Sequence, residues 1–282
     1  MSSKRINAFR TELIAAIPRF PNNRASLRSI ESKTLTDLFI TYIGWRLRYV
    51  ATRPRKVVGR SNLTGDPCTA ALNPNIDAFI AAVEAGTDLT PYLSMIPRTR
   101  GYTPATASGT LNTWADKDLL LNVMGLHHFH LDLPTAAERR IDEVLFASVT
   151  RDTFEILGLF DHAAFEHEDG GTMTPERAKL WCAYESRESA GTLPGQLSIG
   201  GYANIGITLS GHSMAVVRAA QRHVDILREI DPKLDDAAYV KTLFGHLPIP
   251  AKPKLEWCYR HLDLGLFDKS AAFFVLLERG PN

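Results

Sequence analysis

Three of the chain's nine histidines fall within four positions of GLHHFHLDL, residues 125–133: His127, His128 and His130. The stretch alternates, so as a strand it sends successive side chains to opposite faces. His127, Phe129, Leu131 and Leu133 then share one face, and Leu126, His128, His130 and Asp132 share the other. The first face is apolar enough to make His127 a packed, hydrogen-bonded residue at the edge of a core. The second sets two imidazoles beside a carboxylate, which suits two kinds of chemistry. Imidazoles titrate near neutrality and make an acid–base pair. The His-x-His spacing is also that of metal ligands, with Asp132 and His162 available to complete a site for a metal-dependent phosphodiesterase.

The residues that follow extend the constellation. RRIDEVLFASVTRDTFEILGLFDH, residues 139–162, reads as Arg139 and Arg140, a buried strand, a turn at TRD, a second strand, and then His162. In an antiparallel meander the first and third strands flank the second. The strand bearing His128 and His130 can then lie within reach of Arg140 and His162. Two histidines and an arginine suffice to cleave RNA without a cofactor. One imidazole takes the 2′-hydroxyl proton, another protonates the leaving oxygen, and the guanidinium balances charge on the phosphorane.

This succession resembles the β-meander of the RelE/ParE-type toxin superfamily, over about residues 113–162. It has a strand with polar functional residues, an arginine leading into an LF strand, and a strand running to a histidine. The resemblance implies helices followed by a small antiparallel sheet. It also implies a metal-independent endoribonuclease that acts on RNA, often at the ribosome, in a toxin–antitoxin or phage-defence setting with an antitoxin as partner. By the resemblance, His128 and His130 occupy the active-site strand positions, Arg140 the arginine entering the next strand, and His162 the terminal histidine. Toxins of this kind are usually small and basic, whereas residues 127–170 carry 3 Lys/Arg against 10 Asp/Glu.

Affinity for a polyanion must then come from elsewhere in the chain. Residues 1–60 hold 13 Lys/Arg against 3 Asp/Glu, an electrostatic footprint that attracts nucleic acid. Within it, Arg53, Arg55, Lys56 and Arg60 cluster after a helix that Pro54 must end, as either a phosphate-contacting patch or a solvated turn. A non-enzymatic nucleic-acid or protein-binding module built on this segment is the third reading.

Other candidates carry less. RAAQRH has the R-x4-H spacing of HEPN-type ribonucleases in Arg218 and His223, but Ala219 follows the arginine, and Arg218 with Arg222 reads as a solvated helix face. Ser213 in SGHS lacks a G-x-S-x-G elbow and reads as a helix N-cap. No P-loop or dinucleotide fingerprint is present. Cys68, Cys182 and Cys258 are odd in number and widely spaced, which suggests free thiols in a reducing cytoplasm. The four tryptophans read as core. The charged N-terminus does not resemble a signal peptide, and no run approaches the roughly 20 apolar residues of a membrane span.

The elements that must position these groups are an N-terminal helical region, with TLTDLFITYIGWRLRYV its densest apolar stretch, and a helix NPNIDAFIAAVEAG capped by Asn73 and ended by Gly86. A short helix, TWADKDLLLNVMG, leads into the histidines. After the meander come a turn-rich acidic connector, EHEDGGTMTPER, Gly-interrupted strands in QLSIGGYANIGITLSG, the helix SMAVVRAAQRHVDILREI, and a strand-like C-terminus with AAFFVLL. The expected class is α+β. A basic helical region spans 1–112, the RelE-like meander 113–170, and an α+β region 171–282, either as separate domains or as one continuous domain.

Overall fold

A computed structural model describes residues 3–65, 67–104, 119–131, 141–166, 168, 171–190, 206–208, 211–245 and 248–281. Among them the helices are α1 (Lys4–Ala16), α2 (Arg24–Glu31), α3 (Leu35–Arg46), α4 (Pro67–Ala85), α5 (Ile96–Thr99), α6 (Leu119–Met124), α7 (Pro175–Ser189), α8 (Met214–Ile230) and α9 (Ala237–Phe244). The strands are β1 (Lys56–Val58), β2 (Leu126–His130), β3 (Val144–Val149), β4 (Thr153–Phe160), β5 (Leu255–Arg260), β6 (Asp263–Asp268) and β7 (Phe273–Glu278). They form a four-stranded sheet of order β1-β4-β3-β2 and a three-stranded sheet β5-β6-β7, an α+β arrangement.

The described chain divides into two compact units. One comprises residues 1–47, 96–117 and 208–282, the other 48–95 and 118–207. Both units are assembled from segments distant in the chain.

In the second unit, β2, β3 and β4 form an antiparallel meander with His130 opposite Val144 and Val144 opposite Phe160. β1 joins β4 in parallel, which makes the sheet mixed rather than purely antiparallel. Both faces are covered. Ile76, Phe79, Ile80 and Val83 of α4 pack on Phe129, Leu145, Ala147, Phe154 and Ile156. Leu120 and Met124 of α6 and Leu180 of α7 pack on Leu126, Val144, Phe146 and Phe160. Burying each such side chain contributes about 1.5–3 kcal/mol, which is ample reason for both helices to dock. A bulge lets Phe146 pair with Gly158 while Ala147 pairs with Ile156, and the extra residue, Leu157, joins the α7 side.

Two element readings change. The helix read from Asn73 begins at Pro67, with Pro74 inside it. The preceding CTAALN is helix-compatible, and a first-turn proline at Pro67 starts the helix as well as Pro74 could. The supposed connector at 166–177 runs into α7, capped by Thr174, whose hydroxyl accepts from the Arg177 N–H, with Pro175 next. Residues 96–99 form a single helical turn. The Gly-interrupted strands read over 196–211 and the first part of the helix read over 113–125 fall largely outside the described residues. The rest of that helix, α6, ends at Gly125, whose φ of 69° is the left-handed conformation suited to glycine.

The first unit packs α1, α3 and α8 beside β5. Phe9 of α1 meets Phe39 of α3 with ring centroids 5.7 Å apart, and both meet Tyr259 of β5, at 5.3 and 5.7 Å. Buried Asp231 at the end of α8 accepts from Trp257 Nε1 at 2.8 Å and Arg5 Nε at 3.1 Å, tying α1, α8 and β5 together. The α8 helix starts where the sequence suggested. The Ser213 side chain accepts from the Val216 N–H at 3.2 Å and is buried. Ser213→Ala is expected to cost about 1 kcal/mol, seen as a lower urea midpoint with unchanged slope.

Candidate functional site

Because β2 and β4 both end where β3 begins, the meander gathers His128, His130 and the turn after β4 at one end of the sheet. That turn is a 3₁₀ segment, His162–Phe165, capped by the Asp161 carboxylate, which accepts from the Ala163 N–H at 2.7 Å. The N-terminus of α7 holds it in place. Thr174 Oγ1 donates to the Ala163 carbonyl at 2.6 Å, and Arg177 Nη1 donates to the Phe165 carbonyl at 3.2 Å.

The result is a closed circuit of four rings. His128 meets His130 edge to face with centroids 5.9 Å apart, and His130 stacks on His162 at 5.5 Å. His162 lies 5.9 Å from Phe165, and Phe165 returns to His128 at 4.9 Å. His128 also packs on Phe146 at 6.0 Å, so it is wedged between apolar rings. His127 lies on the opposite face, buried and stacked on Phe129, in the packed setting that alternation suggested. The histidine face of β2 is therefore no open surface. It is the rim of the core beneath α6 and α7, with His128 and His130 half-buried.

The His162 side chain is 44% exposed. Its Nδ1 lies 2.6 Å from the Asp142 carbonyl oxygen and 3.0 Å from Asp142 Oδ1. Two acceptors at one nitrogen assign the proton to Nδ1, which leaves Nε2 as the nitrogen able to take or give a proton. Asp142 escaped the sequence reading. Its only signal was an acidic residue just ahead of the β3 run, and many acidic residues surround it.

Two residues of the sequence-derived set, Arg140 and Asp132, lie outside the described residues. Among the described residues no three His, Cys, Asp or Glu side chains are grouped to hold a metal ion.

Within the basic run ahead of α4, one arginine is taken up by the fold itself. Arg55 is buried, and its guanidinium donates to the carbonyls of Thr150 and Ala51 at 2.8 Å each and of Arg53 at 3.2 Å. Burial, with the charge of Arg53 nearby, lowers its pKa to about 10. It is a structural tie between the chain entering β1 and the β3–β4 turn. Arg60 pairs with Asp77 of α4. Arg218 and His223 do not form a pair. Arg218 is exposed, whereas His223 is fully buried with Nδ1 at 2.8 Å from Tyr259 Oη.

Against this geometry stand the comparisons with known proteins. No family model, curated protein or solved structure matches the chain. The functional reading therefore rests on the residues themselves. No helix among the described residues is long and apolar enough to cross a membrane.

Proposed function

We propose that the chain is a metal-independent endoribonuclease whose proton-transfer pair is His130 and His162. The observation carrying this reading is the Asp142–His162 contact with a second imidazole stacked 5.5 Å away. A carboxylate and a carbonyl at Nδ1 orient the His162 ring and its tautomer, and the carboxylate faces the charge that forms when Nε2 takes a proton. In the proposed step, His162 Nε2 removes the 2′-hydroxyl proton and the 2′-oxygen attacks phosphorus. The P–O5′ bond breaks as protonated His130 donates to the departing 5′-oxygen. The products are a 2′,3′-cyclic phosphate and a 5′-hydroxyl.

His128 then positions the other rings from its apolar slot, and Arg140 remains the proposed partner of the phosphorane charge. The resemblance to RelE/ParE-type toxins adds the proposed setting. It would be a toxin or phage-defence protein acting on free or ribosome-bound RNA and held by an antitoxin.

The test is incubation of the purified chain with end-labelled single-stranded RNA in excess EDTA. The expected result is cleavage to 2′,3′-cyclic phosphate ends, with no cleavage of the 2′-O-methyl counterpart. Intact RNA, or cleavage that EDTA abolishes and a divalent metal restores, would overturn the proposal; the second outcome would favour the metal-dependent phosphodiesterase.

A further inference from the structure

The two compact units differ in charge. Residues 1–47, 96–117 and 208–282 carry 21 Lys/Arg against 13 Asp/Glu, a net of +8. Residues 48–95 and 118–207, which include the histidine circuit, carry 11 against 18, a net of −7. A polyanionic substrate is repelled by the unit proposed to cleave it, so the basic unit is where its affinity should originate.

Within the basic unit one locus combines positive charge with an exposed aromatic ring. Phe20 is 44% exposed, and the Arg100 guanidinium lies over its ring at 4.2 Å from the centroid. This pair is built on a laced framework. The Gly101 and Tyr102 N–H groups donate to the Pro18 carbonyl at 2.8 and 2.9 Å, and the Phe20 N–H donates to the Tyr102 carbonyl at 2.9 Å. Tyr102 Oη lies 2.7 Å from Ser29 Oγ of α2, and Lys33 Nζ sits 5.0 Å from the Tyr102 ring centroid. The α2 helix, N-capped by Asn23, buries Ser26 and Ile30, one turn apart. Arg24 and Arg28, also one turn apart, fall on its solvent side and are exposed. The one acidic residue of α2, Glu31, is its last.

We infer that the Phe20–Arg100 stack, with Arg24 and Arg28 of α2, is a docking surface for single-stranded RNA. The inference rests on the reading of RNA as substrate. An aromatic ring and a guanidinium plane each offer a face for an unpaired base, and guanidinium groups one helical turn apart track the phosphates beside it. Duplex RNA keeps its bases stacked inside and cannot use the ring. This surface, rather than the stretch at 53–60, supplies the polyanion affinity that the basic N-terminal segment suggested.

The experiment titrates the full-length chain into a short fluorescein-labelled 2′-O-methyl oligoribonucleotide and reads anisotropy across a salt series. Phe20→Ala is expected to weaken binding about 5- to 150-fold with an unchanged salt slope, the mark of lost stacking. Arg24→Glu with Arg28→Glu is expected to weaken it at least about tenfold and to flatten the slope by about 1.4, two phosphate contacts' worth. The pair Arg53→Glu and Lys56→Glu should change affinity little. Far-UV circular dichroism and melting temperature confirm that each variant is folded.

Equal affinity across the Phe20, Arg24 and Arg28 variants, or a loss confined to the Arg53 and Lys56 variant, would overturn the inference. So would equal binding of a duplex. No binding by the wild type at low salt would overturn it too and leave the patch to an acidic protein partner. The probe lacks a free 2′-hydroxyl, so binding is read apart from cleavage. Binding without cleavage of the matching RNA would sink the proposed activity and keep the surface; cleavage with unaltered binding by these variants would do the reverse.

Discussion

His162→Ala is expected to lower the single-turnover rate of the proposed RNA cleavage by about 10²–10⁴-fold and to leave substrate binding nearly unchanged. The size follows from removing the proposed general base, which the fold engages through Asp142 and the rings of His130 and Phe165. The His162 side chain is 44% exposed, so its loss is expected to leave the fold nearly intact. His130→Ala is expected to fall within the same range, since an acid and a base in one step fail together rather than additively. Asp142→Asn is the more discriminating change. An amide retains the shape but not the charge facing the protonated ring, so the rate drops less than in His162→Ala. The backbone carbonyl at 2.6 Å still holds the tautomer. The measurement is rapid-mix cleavage of end-labelled RNA by wild type and the three variants across pH. Wild-type rates in His162→Ala would end the acid–base reading, and a full loss in Asp142→Asn would assign the carboxylate itself a proton-transfer role.

How much of this was legible beforehand differs by residue, for physical reasons. Alternation in GLHHFHLDL placed His127 on one core and His128 with His130 on the opposite face, because strand period depends only on backbone geometry. The approach of His162 followed from antiparallel order, which ties the ends of β2 and β4 together. What alternation cannot report is what covers a face. That the histidine face lies beneath α6 and α7 depended on α7, whose start was hidden among the turn residues of EHEDGGTMTPER. Arg55 misled for a related reason. A run of arginines looks the same in sequence whether each guanidinium meets water or three carbonyls. The division of charge between units was obscured as well, since both are assembled from distant segments whose charges cancel to +1 overall.

Between pH 6.5 and about 4, His223 is expected to make the chain progressively less stable as pH falls. Its ring is fully buried among Phe39 and Tyr259, and Nδ1 is bound to Tyr259 Oη at 2.8 Å. Burial lowers its pKa to about 4, reinforced by the charge of Arg222 and opposed by Asp263. In the unfolded chain the same imidazole titrates near 6.5. Over the intervening range the unfolded state binds the proton and the native state does not. Stability conferred by the neutral buried ring is thus complete above the unfolded pKa and lost as pH drops toward the folded one. A shift of that size corresponds to a total on the order of 3 kcal/mol. Carboxylates held by hydrogen bonds, Asp268 among them, lose their contribution at lower pH, so the two losses separate along the axis. The check is a urea midpoint series from pH 8 to pH 4, wild type against His223→Gln, whose amide can still meet Tyr259 but does not titrate. The variant should be somewhat weaker at neutral pH and nearly flat between about 6.5 and 4, where the wild type declines. Parallel curves would mean that His223 takes up a proton inside the native fold, and that the aromatic core of α3, α8 and β5 opens to water more readily than its packing implies.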